Sequence, residues 1–166
     1  METQMITQQR LKDLFHYNPD TGVFVRKVST CNRVKVGDTP GTKTKPGYIV
    51  MYVDANRHMA HRLAWLYVYG TFPSKEIDHI NGVGTDNRIS NLREASSAEN
   101  KQNLHIHRKQ NKLGVLGVSK SRGKFMAELQ VNGVRALRKR FDLLEDAVFA
   151  YSQAKKKFHP FATEKI

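Results

Sequence analysis

Residues 78–100 read DHINGVGTDNRISNLREASSAEN. Asp78 and Asn100, at the two ends of this stretch, offer the hard oxygen ligands that a divalent cation such as Mg²⁺ prefers. His79 has a side chain whose ordinary pKa lies near neutrality, and Asn91 has an amide that could orient its imidazole. A compact hairpin followed by a helix would bring these four side chains to one metal ion.

The pattern around these residues predicts that arrangement. We expect a short strand at 76–80, a polar glycine-rich loop, a second strand at 92–95 and a helix from about residue 98, capped by a serine. Adjacent residues on a strand point to opposite faces, so Asp78 and His79 cannot both face the metal. Asp78 would therefore face the helix that bears Asn100, while His79 faces a water molecule.

Hydrolysis of a phosphodiester bond needs a nucleophilic water, a proton acceptor for it and positive charge on the phosphate. His79 is the candidate general base, and Asp78 with Asn100 would hold one Mg²⁺ or Mn²⁺. Asn91 would accept the imidazole N–H and set its tautomer. No Cys-x-x-Cys pair is present to hold zinc.

The rest of the first hundred residues predicts a β-rich extension before this unit. Thr7 can cap a helix through about residue 16, and strands are expected at 22–27, 48–53 and 57–59. The stretch up to Gly47 predicts an exposed loop. A core-forming helix over 60–69 would end at Gly70.

Beyond these elements the chain becomes polar and basic over 103–113, which indicates a linker. Strands are expected at 114–119, 124–131 and 135–141, the last two joined by an Asn-Gly hairpin turn. Asp142 would cap a helix to about residue 157, whose apolar side chains cover one face of the sheet. The predicted domains are 1–103, with a core at about 75–103, a basic linker at 104–113, and 114–166.

The distribution of charged residues along the chain indicates what kind of molecule the protein binds. The chain carries a formal net charge of +13, with 13 basic and 10 acidic residues in 1–100 but 15 basic and 5 acidic residues in 101–166. A polyanion best explains the asymmetry, because cations that neutralise phosphates release condensed counterions. We expect double-stranded DNA as the partner, no membrane and no small-molecule cofactor; a solvated basic surface is the alternative. The absence of a secretory signal and the single Cys31 favour the cytoplasm.

Residues from about 5 to 103 resemble the HNH endonucleases of bacteriophages and group I introns. The segments that carry the resemblance are NPDTG at 18–22, HRLAW at 61–65, IDHING at 77–82, DNR at 86–88, SNLR at 90–93 and EN at 99–100. The resemblance implies a ββα-metal unit in which His79 is the general base, Asp78 and Asn100 bind the metal and Asn91 orients the base. It also implies a homing-type enzyme, located in the host cytoplasm if a phage encodes it.

Residues 114–159 resemble the three-stranded DNA-binding domain of plant ethylene-response factors, the Apetala type. Matching residues include Gly117-Val118, the 124–129 strand, Asn132-Gly133, Phe141 and Ala150-Tyr151. The family usually has Leu-Gly where this chain has Arg138-Lys139. The open sheet face could enter a major groove. The candidate DNA contacts are Arg93, Lys101, Arg108, Lys109, Lys120, Arg122, Lys124, Glu128, Gln130, Arg135, Arg138 and Arg140.

Other residues have simpler interpretations. Asn87 lies in a loop rich in Gly, Asp and Asn, where a turn-stabilising role is expected rather than catalysis. His58 and His61 have a spacing that suggests metal ligation, but no third ligand is evident, and a structural or DNA-contacting role is preferred for His61. Trp65 is expected in the core and Cys31 in a loop.

The sequence therefore predicts an α+β protein: a ββα-metal HNH unit with an N-terminal β-rich extension, then a small three-stranded antiparallel sheet packed on one helix. The predicted function is metal-dependent hydrolysis of duplex DNA, by a monomer or weak dimer that nicks one strand at a time. A DNA-binding regulatory protein with an inactive nuclease unit is the alternative. An RNA or single-strand binder ranks last, because no exposed aromatic platform is evident.

Overall fold

The computed structural model of the chain describes residues 6–102, 111, 113–159 and 162. The protein is α+β, with small antiparallel sheets and helices, as the sequence predicts. It divides into two compact units between Ser96 and Ser97, each with a hydrophobic core of its own. The predicted domain limits at residues 103, 104, 113 and 114 stay predictions.

The first unit is built from short elements. In chain order they are α1 Gln8–Leu14, β1 Phe15–Asn18, β2 Val23–Arg26, β3 Thr42–Lys43, β4 Ile49–Val53, β5 Asn56–Met59, α2 Ala60–Tyr69, β6 Glu76–His79 and β7 Leu92–Ala95. The strands pair as β1-β2, β3-β4-β5 and β6-β7, all antiparallel. A single 3₁₀ turn, Ile89–Asn91, precedes β7.

The N-terminal helix is shorter than predicted. Thr7 caps α1 as expected, with its hydroxyl accepting from the Arg10 N–H at 3.1 Å. The helix ends at Leu14 rather than at residue 16, because from Phe15 onwards burial alternates: Phe15 and Tyr17 are buried, and His16 and Asn18 are exposed. A period of two residues belongs to a strand, so this segment forms β1 and pairs with β2.

Helix α2 carries much of the first core. It follows β5 directly, buries Leu63 and Leu66 along one stripe, and ends where Gly70 takes a left-handed conformation at φ +81°. Ile77 of β6 and Leu92 of β7 belong to the same hydrophobic cluster. The β6-β7 hairpin is therefore anchored to a packed core on one side.

The second unit contains α3 Ser97–Gln102, β8 Val118–Ser121, β9 Lys124–Val131, β10 Val134–Phe141 and α4 Leu144–Phe158. Its sheet has the order β10-β9-β8, with a bulge in β10 between Arg135 and Leu137. The predicted cap of α4 is wrong: Leu143 occupies the N-cap position, and Asp142 forms an exposed ion pair with Lys124 at 2.8 Å. Helix α4 therefore begins one residue later than it would with Asp142 as its N-cap.

Helix α4 covers one face of the sheet. Ala127 of β9 and Ala147 of α4 are fully buried, and small side chains at both positions let the two elements pack closely. Gly117, at φ +70°, lies against the ring of Tyr151, where an added Cβ would overlap the ring. The second unit is thus a three-stranded sheet packed on one helix, as predicted.

Candidate active site

The β6-β7 hairpin places Asp78 and His79 side by side in the first unit. Asp78 pairs with Arg93 and His79 with Leu92 in the antiparallel register. Both polar side chains are buried, with 4% of Asp78 and 5% of His79 exposed. Burial of two titratable groups at a strand end is costly unless partners compensate them, so their contacts define the chemistry of the site.

Arg93 compensates the Asp78 carboxylate. Its Nε donates to Asp78 Oδ2 at 2.8 Å, and Nη2 lies 2.7 Å from the same oxygen. The pair follows from the register, because residues opposite each other on neighbouring strands share a face. Arg93, a predicted DNA contact, is therefore the charge partner of the predicted metal ligand.

Asn87 holds the imidazole of His79. Nε2 of His79 lies 3.2 Å from Oδ1 of Asn87, and both side chains are buried. An amide oxygen accepts only, so this contact places the ring proton on Nε2 and leaves the lone pair on Nδ1. In this arrangement Nδ1 is the acceptor nitrogen of the neutral ring.

Burial also favours the neutral ring. It lowers the pKa of His79 below its ordinary value, although the Asn87 hydrogen bond and the charges of Asp78 and Asp86 offset part of that effect. A neutral imidazole has one acceptor nitrogen, which is the property that a general base needs.

Asn91, predicted to orient His79, instead closes the loop between the two strands. Its Oδ1 accepts from the Asn81 N–H at 2.9 Å, and its Nδ2 donates to Asn81 Oδ1 at 3.0 Å and to the Asp86 carbonyl at 2.8 Å. One carboxamide thereby ties the start, middle and end of the loop together. Among the described contacts, the amide at the imidazole belongs to Asn87 and not to Asn91.

Asp86 reinforces the same loop. It accepts from Asn81 Nδ2 at 2.7 Å, and its Oδ1 accepts from Nε of Arg88 at 2.8 Å. The Arg88 hydrogen bonds are the main reason why the pKa of Asp86 falls to about 2. The loop is therefore held by charge-assisted bonds as well as by the Asn91 carboxamide.

Tyr48 and His61 also lie against the His79 ring. The His61 ring meets the His79 ring edge-on, with centroids 5.1 Å apart, and Tyr48 contacts both. Burial, followed by the neighbouring His79, lowers the pKa of His61 to about 3. His61 is consequently a neutral packing partner, with Nδ1 lacking a hydrogen-bond partner in the described part of the chain.

His58 does not share that position. Its ring stacks on Phe72, with centroids 6.3 Å apart.

Within residues 6–102, 111, 113–159 and 162, no group of three or more His, Cys, Asp or Glu side chains could hold a metal ion. A site with Asp78 as its single carboxylate and amide and substrate oxygens as further ligands is a smaller donor set, which suits Mg²⁺.

Asn100 and Lys101 lie on α3, in the second unit. The order β6, β7, α3 matches a ββα unit along the chain. The packing of α3 on the hairpin, and with it the convergence of Asn100 and Asp78, stays a prediction.

The predicted DNA contacts of the sheet lie on both of its faces. Arg138 stands opposite Glu128, and Arg140 opposite Met126, on the face away from α4. Arg135 donates to Glu128 Oε1 at 3.1 Å. Lys120 instead stands opposite Phe125, on the face that α4 covers. The remaining predicted contacts are Arg122 in the β8-β9 turn, Lys124 and Gln130 on β9, and Arg108 and Lys109, which lie outside the described residues.

Residues 58–102 match the family model of the HNH endonucleases. This segment holds an HNH endonuclease domain. The match covers 45 of the 166 residues and includes the hairpin, the loop and α3. No curated protein and no solved structure matches the chain. In the described part of the chain, no helix is long and apolar enough to cross a membrane.

Sequence reasoning missed two residues of this site. The sequence indicates only a turn-stabilising role for Asn87, and it gives no signal for Tyr17, whose hydroxyl donates to the Asn87 carbonyl at 2.7 Å. A signal for Asn87 was present, because it stands beside Asp86 in the DNR segment that carries the HNH resemblance. Tyr17 is 70 residues away along the chain, and no local pattern connects the two.

The Asn91 carboxamide should be a main source of stability of the first unit. We expect Asn91→Ala to lower the free energy of unfolding by about 1–3 kcal/mol, because it leaves buried groups of the loop without partners. Urea denaturation followed by tryptophan fluorescence measures this. Asn56→Ala, which removes one exposed hydrogen bond in the β4-β5 turn, is the control and should cost less than about 0.5 kcal/mol. Equal effects of the two substitutions would contradict this role.

The lowered pKa of Asp86 predicts that the stability of the first unit depends on pH. Its folded pKa of about 2 lies below the unfolded value of about 3.9, so the folded state binds the proton more weakly. The stabilisation is complete above about pH 5 and should be lost as the pH falls through the folded pKa of about 2. Asp86→Asn should flatten the curve of unfolding free energy against pH in that window. Asp20→Asn, which leaves the Asp86–Arg88 pair intact, should keep this part of the curve.

Proposed function

We propose that the chain is a metal-dependent DNA endonuclease in which His79 is the general base. The observation that carries this proposal is the buried imidazole whose Nε2 is engaged by Asn87, within a segment that matches the HNH endonucleases. Nuclease function in general follows from the family match. The roles of the individual residues, the metal and the homing type are proposed.

The reaction is hydrolysis by water. Nδ1 of His79 takes a proton from the water as its oxygen bonds to phosphorus, and the bond from phosphorus to the 3′ oxygen breaks. The products are a 5′ phosphate and, after protonation of the departing oxygen, a 3′ hydroxyl. Asn87 keeps the proton on Nε2 so that Nδ1 remains the acceptor throughout.

Asp78 and Asn100 are the proposed metal ligands. Mg²⁺, with Mn²⁺ as a substitute, would supply positive charge to the scissile phosphate and the departing oxygen when bound. The buried Asp78 carboxylate suits this ion, since Mg²⁺ commonly takes few protein carboxylates and keeps water and substrate oxygens. Arg93 forms an ion pair with the same carboxylate.

The second unit is proposed to position the enzyme on duplex DNA. Its sheet presents exposed arginines on the face away from α4, and most of the chain's excess positive charge lies in residues 101–166. A small sheet fits a major groove, and arginine contacts both phosphates and base edges. The likeness to ethylene-response-factor domains supports the same orientation. A phage origin, location in the host cytoplasm and action as a monomer or weak dimer belong to this proposal.

One observation favours a second function. Both Nε and Nη2 of Arg93 engage one oxygen of Asp78, which leaves the predicted metal ligand neutralised. A DNA-binding regulatory protein with an inactive nuclease unit would keep such a pair permanently. It would bind DNA through the second unit without cutting it.

His79→Ala tests the enzyme. We expect conversion of supercoiled plasmid to open circles with Mg²⁺ to fall at least about 100-fold, since a general base contributes roughly 10²–10⁴ to the rate. His16→Ala, which removes an exposed imidazole from β1, is the matched control and should cut at the wild-type rate. EDTA should abolish cutting by the wild-type protein and by His16→Ala. DNA binding without cutting by the wild type, under Mg²⁺ or Mn²⁺, would instead establish the regulatory protein.

Arg138 and Arg140 test the role of the sheet. If each contacts a phosphate, replacing both with alanine should weaken duplex binding and reduce the slope of log K against log salt by about 2. Fluorescence anisotropy with a labelled duplex measures both quantities. Lys45→Ala, at an exposed cation in the first unit, should leave them unchanged. A double variant with wild-type affinity and slope would refute DNA binding by this face.

A further inference from the structure

The β1-β2 hairpin, which lies outside the matched segment 58–102, contacts the backbone of the loop that holds His79. The Tyr17 hydroxyl donates to the Asn87 carbonyl at 2.7 Å. Two residues along, the Ile89 N–H donates to the carbonyl of Pro19 in the β1-β2 turn at 3.1 Å. The hairpin thus binds the loop on both sides of Arg88.

Gly22 makes this approach possible. An added Cβ would lie 2.4 Å from both the Arg88 nitrogen and the Asn87 carbonyl carbon, and the residue has φ +72°. No other residue type fits without moving the backbone of the loop. The turn itself is well defined, because Asn18 Oδ1 accepts from the N–H groups of Asp20 and Thr21 at 2.9 and 3.2 Å.

Tyr17 is held firmly at the other end of the contact. Its ring is buried, and its centroid lies 4.7 Å from that of Phe24 and 5.5 Å from that of Tyr67 on α2. The position of the hydroxyl is therefore set by the core of the first unit. A continuous path of contacts runs from this core through Tyr17 to Asn87 and then to Nε2 of His79.

We propose that Tyr17 and the turn at Gly22 are positioning elements for His79 that act through Asn87. They place the Asn87 carboxamide so that its oxygen faces Nε2, which keeps Nδ1 directed to the reacting water. The catalytic consequence rests on the proposed endonuclease function, whereas the orientation of the imidazole does not. Loss of the contact should lower kcat and leave KM and DNA affinity unchanged, because no substrate group is involved.

A double-mutant cycle separates positioning from general stability. Tyr17→Phe removes only the hydroxyl and should lower kcat for plasmid nicking roughly tenfold, since small misplacements of catalytic groups are costly. Asn87→Ala should lower it further, and adding Tyr17→Phe to Asn87→Ala should cause no additional loss. Effects that multiply, or a Tyr17→Phe enzyme with wild-type kcat, would overturn the proposal.

Gly22→Ala provides a second perturbation with a matched control. Gly37→Ala introduces a Cβ at a similar backbone angle, φ +92°, but with no atom within 4 Å. Both substitutions carry conformational strain, and only Gly22→Ala displaces Asn87. We expect a fall in kcat of about tenfold or more for Gly22→Ala alone. Equal kcat values for the two variants would contradict the proposal, and Tyr17→Phe decides it if Gly22→Ala does not fold.

The imidazole itself supplies a test that needs no catalysis. In ¹⁵N-labelled protein, long-range ¹H–¹⁵N spectra should show His79 with a protonated Nε2 and an unprotonated Nδ1. Tyr17→Phe and Gly22→Ala should shift the two nitrogen resonances towards each other, as the tautomers mix, while Gly37→Ala keeps the wild-type pattern. If the pattern is retained in all variants, the proposal fails even if the enzyme cuts DNA. If the pattern changes in these variants but the wild-type protein does not cut DNA, the endonuclease function fails instead.

Discussion

The hydrogen bond between His79 and Asn87 is the contact on which the candidate site depends. A buried imidazole without an oriented partner can place its proton on either nitrogen, so the partner decides which nitrogen is the acceptor. The amide oxygen of Asn87 makes Nδ1 the acceptor. Asn91 and Asp86 hold the loop from residue 80 to residue 91 in place, because they form hydrogen bonds with its polar groups.

The need to hold this loop gives a role to the elements of the first unit that lie outside the matched segment of 45 residues. Ile77 and Leu92 anchor the β6-β7 hairpin in the core of the first unit. The β1-β2 hairpin forms hydrogen bonds with the loop between β6 and β7. Asp78 adds a second requirement, since a buried carboxylate needs a cation. Arg93 meets it from the neighbouring strand. Asp78, His79 and Asn91 are thus buried polar side chains that each have a charged or hydrogen-bonding partner.

Much of this could be predicted from the sequence, and the failures have physical reasons. The alternation in β9, the Asn132-Gly133 turn and the Gly70 stop of α2 are local signals, so these elements were expected. Strand β1 was missed because Phe15 continues the apolar stripe of α1, and only burial of Tyr17 shows the change of period. Residue type and spacing predict Asp78 and His79 as site residues, and their roles as metal ligand and general base stay predictions. The partner of His79 was not predicted, since Asn87 and Asn91 have identical side chains and only the path of the loop decides which one reaches the ring.

The central claim is that water, deprotonated at His79, cleaves the bond between phosphorus and the 3′ oxygen of DNA. Single-turnover cleavage of a duplex oligonucleotide in H₂¹⁸O with Mg²⁺, followed by mass spectrometry of the fragments, tests it most directly. The account predicts one ¹⁸O atom in a new 5′ phosphate and a 3′ hydroxyl on the other fragment. A 3′ phosphate, a 5′ phosphate without ¹⁸O, or an intact duplex would contradict it.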